Sequence, residues 1–141
     1  VVCTEDLPFV DEGDVDREAL RRSYLGEEML EGLAAMCAVW PRGELDPDLR
    51  SPLASSVPAL VLSGGLDPVT PPAYGAAAAA GFRDHLHVVF EGQGHLQLGL
   101  HCAQQLLQRF LEAGTARGLD AACAGDVKPL PFFLGFNGGA P

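Results

Sequence analysis

An aspartate and a histidine stand in the two turns of this chain best suited to chemistry. Asp67 lies in Ser63-Gly64-Gly65-Leu66-Asp67-Pro68, and His95 closes Glu91-Gly92-Gln93-Gly94-His95. A histidine that takes a proton from a nucleophile works best when a carboxylate holds its other ring nitrogen. The carboxylate fixes the tautomer and stabilises the imidazolium that forms. Asp67 and His95 would be the acid and the base of such a relay. Each has a plainer role when taken alone. Asp before Pro is a common turn start, and a lone histidine is commonly structural. Their order and their matching loop positions carry the functional reading. His85, His87 and His101 receive no role.

The loops matter because of the elements before them. Ala59 to Leu62 is a short continuous apolar run, which suits a strand buried on both faces. Pro71 and Pro72 then introduce a helix over residues 73–84. Leu86 to Phe90 reads as a second strand, and a second helix runs from about Leu98 to Ala113, with Gly114 stopping it. Strand, helix, strand, helix predicts two parallel strands, whose following loops gather at one sheet edge. Asp67 and His95 are then expected to meet across 28 positions of sequence.

A nucleophile is missing from this arrangement. Chain order Ser, Asp, His is that of the α/β-hydrolases, and only its last two members have candidates. None of Ser23, Ser51, Ser55, Ser56 and Ser63 lies in G-x-S-x-G; Val61 occupies the first glycine position before Ser63. The chain begins at Val1 rather than a methionine, so it is read as a piece of a longer or processed protein. By itself it is expected to be inactive.

Composition narrows the partners. Among 141 residues 48% are hydrophobic and 20% charged, which is the make-up of a folded domain rather than a disordered chain. The formal charge of −10 leaves no basic face for phosphates, so neither a nucleic acid nor an anionic membrane surface is expected as partner. No apolar stretch is long enough to cross a bilayer. Charge is uneven: residues 1–50 hold 13 acidic and 5 basic residues, and residues 51–141 hold 6 and 4. A proline-rich stretch from Arg42 to Pro58 marks the boundary. Before it, Asp14 to Trp40 reads as helical, with Leu20, Tyr24, Leu30, Leu33, Cys37 and Trp40 on its apolar stripe and a break expected at Gly26.

Several separated segments resemble one family. The segment from Pro58 through Asp67 to Pro72 resembles the acid-bearing segment of the tripeptidyl-aminopeptidase-like (TAP-like) α/β-hydrolases, relatives of the proline iminopeptidases. Phe90 to His95 is similar to their histidine segment. The opening Val1 to Asp6, the Cys37 to Pro41 stretch, Cys102, and the run Leu119 to Cys123 resemble the same group, so the likeness extends to about residue 133. Residues 135–141 have no counterpart. The resemblance implies an α/β fold: the C-terminal part of an α/β-hydrolase over residues 51–141, preceded by the end of a helical cap over residues 1–50. It implies that Asp67 is the triad acid and His95 the base of a serine exopeptidase. The nucleophile would then lie in a missing N-terminal part, itself a partner of this chain. Related exopeptidases hold the substrate's free amino group with carboxylates near the cap; Glu5 or Asp6 could serve, and Glu5 is taken as the candidate substrate-binding residue for a peptide with a free N-terminus. An esterase-like hydrolase, or a non-catalytic remnant acting as an interaction module, are the alternatives.

No cofactor is expected. Zinc is disfavoured because there is no C-x-x-C, and His101 beside Cys102 has no second half-site. Four cysteines permit three complete pairings, or four buried thiols in a reducing compartment. The resemblance implies the disulfides Cys3–Cys37 and Cys102–Cys123, and with them a secreted or cell-envelope location.

Overall fold

A computed structural model describes residues 1–129 and 135–136. Residues 130–134, where the family likeness runs out, and residues 137–141 lie outside the described residues. Two compact units make up the chain, Val1–Ser51 and Pro52–Pro141.

The first unit is helical. A π-helical turn, Val2–Asp6, is followed by α1 (Arg17–Arg22) and α2 (Glu28–Val39). The Asp16 carboxylate accepts from the Ala19 amide at 2.8 Å and caps α1. Arg17 pairs with Glu12 and Glu27, and Arg21 reaches Glu27 at 2.7 Å. Arg17 first, then Arg21, holds the Glu27 carboxyl below its ordinary range. The helical stretch is interrupted between residues 23 and 27, so Tyr24, expected on the apolar stripe, falls outside both helices and is exposed. Trp40 follows the end of α2 and is exposed as well. A Cys3–Cys37 disulfide ties the N-terminal turn to α2, and these two cysteines are the buried hydrophobic residues of the unit.

The second unit alternates strands and helices. β1 (Ala59–Gly64) pairs in parallel with β2 (His85–Phe90), from Ala59 opposite His85 to Gly64 opposite Phe90. Between them runs α3 (Pro72–Ala79), opened by proline at its first turn; α4 (His101–Ala113) follows β2. Gly114 ends α4 at φ 64°, a left-handed cap that a residue with a Cβ resists. Strand alternation divides the side chains. Val88 and Phe90 of β2 pack with Cys102, Ala103 and Leu106 of α4 to form the core, with Leu60, Leu62 and Leu86 beside it. Ser63 and His87 face the other way, toward Gly75 of α3.

Two expectations change. Residues 59–62 are half-buried rather than fully buried; among the described residues β1 has a strand neighbour on one edge only. The helix expected over residues 73–84 stops at Ala79, because the chain turns there and Asp84 is taken up elsewhere. Its carboxylate accepts from the Thr115 hydroxyl at 2.5 Å and the Ala116 amide at 3.1 Å. The Cys102–Cys123 disulfide joins the first turn of α4 to the short 3-10 helix Ala122–Asp126.

Candidate active site

Beyond Gly64 and Phe90 the two strands remain stitched together. The Gly65 amide donates to the Phe90 carbonyl at 3.0 Å, and the Leu66 amide to the Gln93 carbonyl at 2.9 Å. Gly64 is needed at this crossing, because a Cβ there would collide with the Gly94 carbonyl and stand 2.6 Å from that of Gln93. The loops bearing Asp67 and His95 thus leave the sheet side by side.

Asp67 folds back on its own turn. One carboxylate oxygen, Oδ1, accepts from the amides of Val69 at 2.8 Å and Thr70 at 3.0 Å. Pro68 lies between and has no amide hydrogen to compete. The other oxygen, Oδ2, accepts from the Thr70 hydroxyl at 2.7 Å and from His95 Nδ1 at 2.8 Å. Four donors on two oxygens describe an ionised acceptor. The Thr70 amide first of all, then the His95 ring, the Thr70 hydroxyl and the Val69 amide, holds the Asp67 carboxyl well below the usual carboxylate range, against the opposing effect of its burial.

The histidine is oriented by this acceptor. An ionised Asp67 accepts only, so the proton between the two groups is assigned to Nδ1, and in the neutral imidazole the lone pair is then on Nε2. The Thr70 hydroxyl oxygen lies 3.3 Å from Nδ1, close enough to limit ring rotation. The Asp67 side chain is 4% exposed and that of His95 is 47% exposed. A buried carboxylate behind a half-open imidazole is the geometry of a base that works at a surface facing a reactant. Beside them lies a cleft of about 360 Å³, whose walls include Leu60, Leu62, Leu96, Leu98 and Leu107.

The other candidates fall elsewhere. Among the described residues no serine or cysteine lines the cleft. Ser63 is buried and lies 2.9 Å from His87 Nε2, on the strand face toward α3. His85 Nδ1 pairs with the Phe82 carbonyl, and His101 with Gln105. Glu5 belongs to the first unit, where it lines a cleft of about 380 Å³ with Met36, Trp40 and Glu44. Among the described residues no group of three or more His, Cys, Asp or Glu side chains could hold a metal ion.

Two residues of the site escaped the sequence reading. Thr70 contributes both an amide and a hydroxyl to Asp67, and its signal was present: a threonine three positions after an aspartate that starts a turn. Gln97, buried beside His95, donates from Nε2 to the Gly94 carbonyl at 2.5 Å. Nothing in the local sequence marks it.

A family described as TAP-like protein matches residues 22–123, nearly three quarters of the chain. No curated protein and no solved structure matches it.

Proposed function

The chain belongs to the TAP-like α/β-hydrolase family, and from that premise we propose that it is the C-terminal part of a serine exopeptidase, supplying the acid and base of a Ser-His-Asp triad. One observation carries the reading: His95 Nδ1 stands 2.8 Å from Oδ2 of a buried, fully hydrogen-bonded Asp67, with the ring half-exposed. His95 Nε2 takes the proton of a serine hydroxyl supplied by polypeptide outside these 141 residues, as the hydroxyl attacks the scissile carbonyl. The same nitrogen then returns the proton to the departing amine. Asp67 remains ionised throughout and stabilises the imidazolium in between.

The substrate proposed is a peptide with a free N-terminus. Residues 1–50 are assigned to the end of a cap, whose acidic balance has the right sign to attract an ammonium group. Glu5 is the residue proposed to bind that group. The two disulfides point to an oxidising compartment, and we place the enzyme outside the cytoplasm.

A second reading keeps the triad and changes the substrate. The leucine-rich cleft beside His95 also suits the apolar acyl group of an ester. Turnover of an unblocked tripeptidyl anilide against a short-chain ester, by the chain together with its nucleophile-bearing part, separates the two. His95→Ala is expected to abolish either activity. Full activity in that variant would overturn both readings, and no turnover of either substrate by the unsubstituted protein would leave a non-catalytic remnant.

A further inference from the structure

The three residues that carry the base take no part in the backbone pairing around them. The last backbone hydrogen bond between the two loops is at Gln93, whose carbonyl accepts from the Leu66 amide, and the next backbone bond along the histidine loop itself is at Gln97, whose carbonyl accepts from the Leu100 amide at 2.9 Å. Among the described residues, no backbone group of Gly94, His95 or Leu96 pairs with another backbone group. Leu96 adds strain. It sits at φ 71°, the one non-glycine residue at positive φ among the described residues, and is 81% exposed. A segment so weakly tied should not by itself hold an imidazole in place.

The side chain that ties it is Gln97. It is 5% exposed, and its Nε2 makes the one hydrogen bond to the backbone of residues 94–96 found among the described residues, to the Gly94 carbonyl at 2.5 Å. The same nitrogen lies 2.7 Å from where a Cβ on Gly64 would stand, so the amide head is wedged against the end of β1. Its other polar atom, Oε1, is buried and has no partner among the described residues. Turning the amide over would set Oε1 against the Gly94 carbonyl, acceptor against acceptor, so the Gly94 bond fixes the orientation. An apolar side chain of this shape would fill the space without stranding an acceptor. Packing therefore does not account for a glutamine here; the donor does.

We propose that Gln97 is a positioning residue: it clamps the peptide preceding His95 to the end of β1 and so keeps the imidazole on Asp67. As a statement about catalysis this rests on the reading of His95 as the base.

Gln97→Met tests it, because methionine keeps the length and approximate volume while removing both the donor and the stranded acceptor. In the complete enzyme kcat is expected to fall about tenfold to a hundredfold with KM little changed. The downfield proton resonance of His95 Nδ1–H is expected to shift or broaden, and the thermal midpoint to hold or rise. An unchanged resonance together with unchanged kcat overturns the proposal. Gln97→Glu, which turns a carboxylate oxygen on the Gly94 carbonyl, is expected to lose at least as much, and wild-type kcat in that variant also overturns it. Should the variants fail to fold, the unsubstituted protein decides. A scalar coupling across the bond from Gln97 Nε2 to the Gly94 carbonyl supports the clamp, and absence of that coupling overturns it. Failure of the base assignment looks different, as full activity in His95→Ala, and leaves the effect of Gln97 on the Nδ1 resonance intact.

Discussion

Thr70 holds Asp67 twice, through its amide to Oδ1 at 3.0 Å and through its hydroxyl to Oδ2 at 2.7 Å, and the second contact shares its oxygen with His95. Asp67 is thus oriented mainly by its own turn, with His95 as one further donor. The hydroxyl also keeps Oδ2 turned toward the ring. Thr70→Val removes this contact while conserving shape. A loss of about fivefold in kcat is expected, in line with roughly 1 kcal/mol for one net hydrogen bond; wild-type kcat in the variant would show that the two amides suffice.

Asp67→Asn is the sharper substitution. An amide carries one acceptor in place of two, and it no longer compels the proton onto Nδ1. The expected fall in kcat is about four orders of magnitude, with the fold retained by circular dichroism. A small effect on kcat would mean that another group orients His95.

Acid should destabilise the protein through the same carboxylate. The Asp67 pKa is lowered in the folded state, so between the ordinary carboxylate value of about 3.9 and the folded value the unfolded chain binds more protons. Its contribution to stability is complete above the unfolded value and is lost as pH falls through the folded one. Glu27 is shifted in the same direction by Arg17 and Arg21. Denaturant titrations from about pH 5 downward should therefore flatten in part in Asp67→Asn and in a different part in Glu27→Gln. An unaltered slope in Asp67→Asn contradicts this assignment.

Gly64→Ala should disturb the crossing of the two loops. The added methyl meets the carbonyls of Gly94 and Gln93 and the Gln97 amide, two of them backbone groups that cannot swing aside. A loss of about 1–3 kcal/mol is expected, read as a lowered thermal midpoint, together with reduced kcat because the displaced carbonyl precedes His95.

Replacing Cys102 and Cys123 by alanine opens a loop closed over a sequence separation of 21. A loss of about 3 kcal/mol is expected, measured as a shift of the denaturant midpoint. Reduction of the unsubstituted protein, which opens Cys3–Cys37 as well, should shift the midpoint at least as far.

Asp67 and His95 were legible in the sequence because they follow apolar runs that must be strands, and parallel strands bring their following loops to one edge. The ends of the elements were less so. The alanine-rich pattern after Pro72 has no local signal to stop at Ala79; what ends it is the turn through Gly81 and the capture of Asp84 by Thr115, some thirty residues away. Cysteine spacing left three pairings open, and which one forms depends on where α2 and α4 lie. Gln97 was illegible for a like reason, since its role depends on the close approach of Gly64 and Gly94 across the sheet end.

That no backbone group of residues 94–96 pairs with another backbone group among the described residues has a consequence for how the site fails. Asp67 keeps most of its donors within its own four-residue turn, whereas His95 depends on one carboxylate oxygen and one glutamine amide. On warming, His95 should drift before Asp67, and before the core of Val88, Phe90 and Leu106 opens. Inactivation would then begin below the melting transition and reverse on cooling, with the histidine loop acting as the fuse of the fold.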